Sequence, residues 1–377
     1  MRSRAWLFPI LAALLLAGLL GGCADTRYYA QSVGGHLKLM AAARPIDDWL
    51  TDADTPEPLR SRLRLAQSMR RFAVTELHLP DNASYRRFED LKRRYVVWNV
   101  VAAPELSLEL KTWCFPVLGC VGYRGYFDEA DAQALATELR AQGLEVSVYG
   151  VPAYSTLGWM NWLGGDPLLN TFVNQPDGEL ARMMFHELAH QVLYVAGDTP
   201  FNESFATAVE RLGGTQWLAA QGSPQARQAY ANYGLRRQQF RTLTRVTRER
   251  LAQIYIKNSP LALDSKRLIA MKNEVMQDFR AQYAALKQSW GGYAGYDRWV
   301  AQANNAAFGA QAAYDDWVPA FEALFEREGR DWPRFYAAVK QLAQRPEPDR
   351  LQQLQALSTD AANAARQAQM RNPIPPL

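Results

Sequence analysis

Apolar residues recur at helical spacing over residues 26–43 and again over 57–77, so the chain opens with two amphipathic helices. The polar and proline-bearing stretches ARPIDDW and TDADTPEP lie between them. The period then shortens to two: RYVVWNVVAAP near 94–104 and LSLELKTW near 106–113 read as strands. A helix is expected over 128–142, stopped by Gly143, and the alternating LEVSVYG after it reads as a further strand. From Asp177 onward helical spacing dominates, with breaks at Gly197, near Gly222, at Ser259-Pro260, around GGYAGY and at RPEPDR. The pattern predicts an α+β chain, predominantly helical, in which a small sheet precedes a helical body. A helical and small-sheet region over 23–176 and a helical region over 177–377 together are expected to make one unit.

The first residues stand apart from this pattern. Arg2 and Arg4 precede an apolar run from Ala5 to Leu20, too short for a confident membrane span and typical of a secretory signal over 1–22. Its end, Leu20-Gly21-Gly22-Cys23, resembles the lipobox of bacterial lipoproteins. That resemblance implies cleavage before Cys23, acylation (palmitate included) of its thiol and new amino terminus, and durable anchoring to a membrane. The protein would face the periplasm from the cell envelope. Ala24, rather than aspartate, follows the cysteine, which by analogy with lipoprotein sorting favours the outer membrane. The alternative is a secreted or signal-anchored protein in which Cys23 is incidental.

Composition narrows the function class. A chain of 377 residues with 48% hydrophobic and 21% charged residues can bury a large core and is not disordered. Without residues 1–22 it carries 40 basic against 38 acidic residues, with no clustered basic bias, so a nucleic-acid partner is not expected. Cys114 and Cys120 enclose Pro116 and Gly119, residues that turn a chain back on itself. In an oxidising periplasm they read as a disulfide; ligation of a second metal would need further Cys or His nearby, and none is there.

The chemistry concentrates in MMFHELAHQVLYVAGDTPFNESFATAVE, residues 183–210. Asp177 is placed to cap a helix that Gly197 stops. On it His186 and His190 lie about 40° apart on neighbouring turns, so both imidazoles reach one ion, while Glu187 projects about 100° aside, towards a water on that ion. His36 and His78, the remaining two of four histidines, sit in unremarkable amphipathic contexts. A carboxylate is the better third ligand. Thr199 as cap and Pro200 at the first helical position open a second helix bearing Asn202-Glu203. The twelve residues between His190 and Glu203 allow a tight turn that brings Glu203 back over the histidines.

His186-Glu187-x-x-His190 followed by Asn202-Glu203-x-Phe205-Ala206 resembles the gluzincin metallopeptidases, although the interval is shorter than in their best-known aminopeptidase branch, whose substrate pocket is therefore not carried over. More broadly, CFPVLGCVGYRGYF, AYSTLGW, DPLLN, FHELAHQVLYV and FNESFATAVE resemble a family of bacterial lipoproteins described as zinc aminopeptidases, across residues 23–350. The resemblance implies a zincin-like fold, one zinc ion per chain held by His186, His190 and Glu203, a catalytic Glu187 and a peptide substrate. Glu210, seven residues after Glu203, is either a carboxylate supporting a ligand histidine or a solvated residue.

Gluzincins usually add a Tyr or His that stabilises the oxyanion. With no histidine downstream, Tyr314 in NNAAFGAQAAYDDWVPAF is the first candidate and Tyr154 the second; each is alternatively a packed tyrosine. Tyr154 also falls in VSVYGVPAYSTLGW, ahead of the zinc helix, where such peptidases bind substrate along an edge strand. Asp166 in GGDPLLN is a candidate anion for a substrate's free amine, or an ordinary loop signal. The expected function is a zinc peptidase, an aminopeptidase by resemblance, with exo- versus endo-cleavage open. The alternatives are a non-catalytic assembly lipoprotein on a zincin scaffold, against which the intact Glu187 argues, and a zinc hydrolase of other amides.

Overall fold

The computed structural model describes residues 27–115, 119–153, 164–257, 265–311 and 317–371. Cys23, Tyr154 and Tyr314 lie outside the described residues, as does the segment 1–22. Helix α1 (27–42) leads through the two-residue strand β1 (Arg44–Pro45) and the short helix α2 (Ile46–Thr51) into α3 (Glu57–Thr75). These match the two opening helices expected from spacing. Pro58 sits in the first turn of α3, where its missing N–H costs nothing, and Leu63, Ala66, Met69, Phe72 and Ala73 form its buried stripe.

The middle of the chain holds β2 (Arg87–Glu89), β3 (Val97–Pro104), β4 (Trp113–Phe115), β5 (Gly119–Val121), β6 (Arg124–Tyr126), α4 (Glu129–Ala141), β7 (Leu144–Val151), β8 (Leu168–Leu169) and α5 (Asn170–Val173). Among the described residues they make three small sheets, ordered β1-β2-β8, β6-β3-β7 and β4-β5. Strand β3 is buried from Trp98 to Ala103 because both its faces are covered. Trp98, Val100 and Ala102 meet Ala132, Ala136 and Leu139 of α4, and Val101 and Ala103 meet Ala306. A strand covered on both faces reads as a continuous apolar run, which is how VVWNVVAA looks. Asp128 caps α4 by accepting from Ala130 N at 2.7 Å, and Gly143, at φ +80°, turns the chain into β7.

The body comprises α6 (Asp177–Ala189), α7 (Thr199–Gln221), α8 (Pro224–Lys257), α9 (Ser265–Ser289), α10 (Asp297–Ala301), α11 (Asn305–Gln311), α12 (Val318–Arg327), α13 (Trp332–Ala343) and α14 (Glu347–Arg371). The largest apolar cluster takes Phe72 and Phe172 from the first half and Phe185, Phe205, Phe321 and Phe335 from the second, so it crosses the 176/177 boundary. A separate cluster of Phe240, Phe279, Trp299 and Phe308 ties α8 to α9 and α11. Among the described residues no helix is long and apolar enough to cross a membrane.

Three local expectations need correction. Of LSLELKTW only Trp113 is in a strand; Leu106 and Leu108 pack instead onto the α8–α9–α11 cluster and Leu110 beside Ala306, so the two-residue period is satisfied by helices. Helix α6 stops at Ala189 rather than Gly197, because Asn202 holds the following loop: its side chain accepts from Val195 N at 2.8 Å and donates to Val195 O at 2.7 Å. The caps also shift. Asp177 is already helical and accepts from Arg62 at 2.5 Å, and Asp198, not Thr199, caps α7 by accepting from Phe201 N at 3.1 Å.

Candidate metal centre

Helix α7 folds back on α6, and two small residues set how closely Tyr230 of α8 joins them: a side chain on Gly178 would meet the Tyr230 ring at 2.6 Å, and one on Gly214 would meet the Tyr230 hydroxyl at 3.3 Å. His190, the C-cap of α6, keeps helical backbone (φ −59°, ψ −22°), so the four-residue step from His186 survives the helix end. The clamp of Asn202 on Val195 fixes the start of α7 and with it the neighbouring Glu203. The outcome is a compact donor set. His186 Nε2 and His190 Nε2 are 3.2 Å apart; Glu203 has one oxygen 3.4 Å from the first and the other 3.8 Å from the second. These separations of 3.2, 3.4 and 3.8 Å are close to those of ligands that share one ion at about 2.0–2.2 Å, and the three residues form a single candidate donor group. Two imidazole nitrogens and one carboxylate oxygen, mostly shielded from water, fit zinc with a fourth position left for water or substrate.

At His190 and Glu203 electrostatics agree with that use, while His186, despite its burial, is drawn towards its charged form by the neighbouring carboxylates. Burial disfavours the charged form of His190 and lowers its pKa to about 4, leaving the neutral, ligating ring. At His186 burial acts the same way but is outweighed by the hydrogen bond and charge of Glu203 and by Glu187, so its pKa rises; Arg241 opposes that rise. Burial would raise Glu203, yet the two histidines hold it below the ordinary carboxylate value. Glu187 is half-buried, and burial raises its pKa to about 7; His186 opposes this, while Glu203 and Asp166 reinforce it. Such a carboxylate is matched to proton transfer near neutral pH.

Behind the donors runs a buried ionic chain. Glu210 Oε2 is 3.2 Å from His186 Nδ1, within ion-pair reach though off hydrogen-bond geometry, and Glu210 accepts from Arg182. Arg182 lies 3.4 Å from Glu179, which also holds Arg237 at 2.5 Å. Glu210 is therefore not solvated; it sits between a ligand histidine and a buried arginine. Asp166 is buried at 2% exposure and accepts from Gln191 at 3.4 Å, so it acts on the centre through its charge on Glu187. His36 is buried in α1 and His78 is exposed, both away from the donor set.

Two tyrosines that sequence reasoning did not single out lie within electrostatic reach of Glu203. Burial and the charge of Glu203 raise the pKa of Tyr194, and the same causes in the same order hold Tyr123 far above its ordinary value. Tyr194 had a local signal, standing one turn beyond His190. Tyr123 had none. It follows the β4–β5 hairpin, which the Cys114–Cys120 disulfide closes. At the tip Gly119 has φ +74°, and a side chain there would come within 2.8 Å of Gly197 N, so the hairpin packs on the loop between the two ligand helices.

The chain matches the family model described as "Putative aminopeptidase" over residues 27–354. It belongs to that family. The aminopeptidase match runs from α1 into α14 and includes every donor of the metal centre, so a peptidase with a peptide substrate is the coarse function. No curated protein and no solved structure matches the chain.

Proposed function

We propose that the protein is a zinc-dependent aminopeptidase in which Glu187 is the general base. The observation that carries this reading is the donor set of His186, His190 and Glu203 with an uncoordinated carboxylate next to it, in a chain of an aminopeptidase family. Bound zinc would supply Lewis acidity, activating water and polarising the scissile carbonyl. The protein's own groups do the rest. Glu187 takes a proton from the attacking water and returns it to the departing amine. Tyr194 and Tyr123, kept protonated by their raised pKa, are suited to donate a hydrogen bond to the oxyanion, and Tyr314 and Tyr154 keep that proposed role from their sequence positions. Asp166 adds negative charge behind Glu187, the sign that an α-ammonium requires.

Strand β7 is suited to hold the peptide. It is the outer strand of its sheet, and the Val146 carbonyl on its open side accepts from Asn304 at 3.1 Å. Val148 and Gly150 share that phase and line the adjacent cleft, offering backbone groups to an extended substrate. We further propose that Cys23 is the lipid-anchoring residue and that the catalytic unit faces the periplasm at the cell envelope, in the outer membrane. The test is metal analysis of the mature protein with turnover of aminoacyl and internally quenched peptides, with and without chelator. One zinc per chain and chelator-sensitive release of amino-terminal residues are expected. Metal-free protein with full turnover would refute the reading.

A further inference from the structure

Two clefts flank α8 and share Arg237, Arg241 and Gln311. The larger, about 530 Å³, lies between α8 and helices α7, α11 and α12. Arg211, Arg237, Arg241, Arg245 and Arg248 line it, and no lining residue among those described is acidic. The smaller, about 440 Å³, is walled by Phe240, Tyr296 and Trp299 against the open side of β7. Its aromatic wall is rigid: the rings of Phe240 and Tyr296 stack at 4.0 Å.

Acids outside the cleft answer part of this charge. Glu179 holds Arg237 at 2.5 Å, Glu249 holds Arg245 at 2.6 Å, and Glu322 approaches Arg211 at 3.6 Å. Arg248, half-buried in the lining, has no hydrogen-bond or ion-pair partner among the described residues. The cleft lies beside the helix that carries the histidine donors, and the charge of Arg241 acts on His186. Glu179 and His186 share a face of α6 two turns apart; Arg237 pairs with Glu179, and Arg241 lies one turn further along α8. Guanidinium groups are the side chains best shaped to hold a carboxylate by paired hydrogen bonds, and the acids among the described residues leave Arg248 unanswered at this arginine-lined wall.

We propose that the arginine-lined cleft, through Arg241 and Arg248, binds a carboxylate of the peptide substrate, and that the enzyme therefore selects short peptides with a free C-terminal carboxylate or an acidic side chain. The proposal rests on the peptidase reading above and extends it to a substrate class. The aromatic cleft beside β7 takes the neighbouring apolar part of the same peptide. A backbone-binding strand on one side of the shared arginines and a basic cleft on the other suit a peptide that ends, or turns acidic, after a few residues.

The test uses the full mature protein, zinc-loaded, with three matched short peptides: a free C-terminal acid, the same sequence amidated, and the amidated sequence with an internal glutamine replaced by glutamate. Turnover and calorimetric Kd are measured for each. One or both carboxylate-bearing peptides should bind about 10- to 100-fold more tightly than the neutral one, the range of a charge-assisted hydrogen bond, and which does so distinguishes the two sources. Arg241→Gln and Arg248→Gln should bring that preference close to unity, Arg248→Lys should keep most of it, and Arg248→Glu should reverse it towards lysine-bearing peptides. Melting temperatures near the parent's would show that the variants fold. Equal binding of all three peptides by the parent would overturn the proposal even if the enzyme is an active peptidase. If no peptide is turned over, the peptidase reading fails, and the binding arm still decides this one: preference for the carboxylate supports it and indifference overturns it.

Discussion

The metal cradle and the cleft wall beside it are built in different ways. The cradle comes from one stretch of chain: His186, His190, Glu203 and Glu210 lie within two consecutive helices, and one loop clamp by Asn202 aligns them. The wall is assembled from remote pieces: strand β7, the middle of α8 and the α10–α11 segment, with Tyr123 after the disulfide hairpin packed beside Tyr149 and Ala310. Chemistry that needs an invariant donor geometry is held by helix periodicity. Selectivity, which needs shape and charge, is left to segments joined by tertiary packing alone. Substitutions in the cradle should therefore cost metal and turnover together, and those in the wall should change turnover at constant metal.

The largest effect is expected in the cradle. Glu203→Ala or His190→Ala removes one of three donors, and zinc content should fall well below one per chain with turnover lost; full occupancy of the Glu203 variant would transfer the third ligand elsewhere. Next comes Glu210→Ala. It frees His186 Nδ1 and leaves the buried Arg182 only its longer contact with Glu179, so zinc affinity should fall about 10- to 100-fold and stability by about 1–3 kcal/mol, read by metal titration and denaturant melts. Asp198→Asn keeps the α7 cap but removes the charge that holds Arg350 of α14 at 2.6 Å, and about 3 kcal/mol should be lost; Thr199→Ala, which leaves the Asp198 cap in place, should be near neutral.

Smaller effects belong to the hairpin that adjoins the wall. Gly119→Ala imposes a Cβ at φ +74° and within 2.8 Å of Gly197 N, which should cost about 1–2 kcal/mol. Replacing Cys114 and Cys120 by serine should loosen the hairpin beside Tyr123. Turnover should fall several-fold with zinc content unchanged, and a matching loss of zinc would erase the distinction between the two regions.

The sequence disclosed the cradle because its signal is local. His186 and His190 obey helix periodicity, and Glu203 follows within the reach of one turn. Helix caps were less legible: Asp198, Thr199 and Pro200 all favour a helix start, and the choice of Asp198 depends on tertiary partners such as Arg350. The strand expected at 106–113 failed for a similar reason, since alternating leucines pack equally well on helices. Tyr123 and the arginines of α8 carried no legible role. An arginine every three or four residues is what any solvated helix face shows until α7, α11 and α12 close a cleft around it.

The central claim is that Glu187 acts as a proton acceptor and not as a ligand, and Glu187→Gln tests it most directly. Zinc content and melting temperature should stay close to the parent's, because the carboxylate lies beside the donor set and not within it. Turnover of an aminoacyl reporter should fall by about 10²–10⁴-fold, the range of lost general-base catalysis. A Glu187→Gln protein that keeps its zinc and turns over the reporter at the parent's rate would contradict the account.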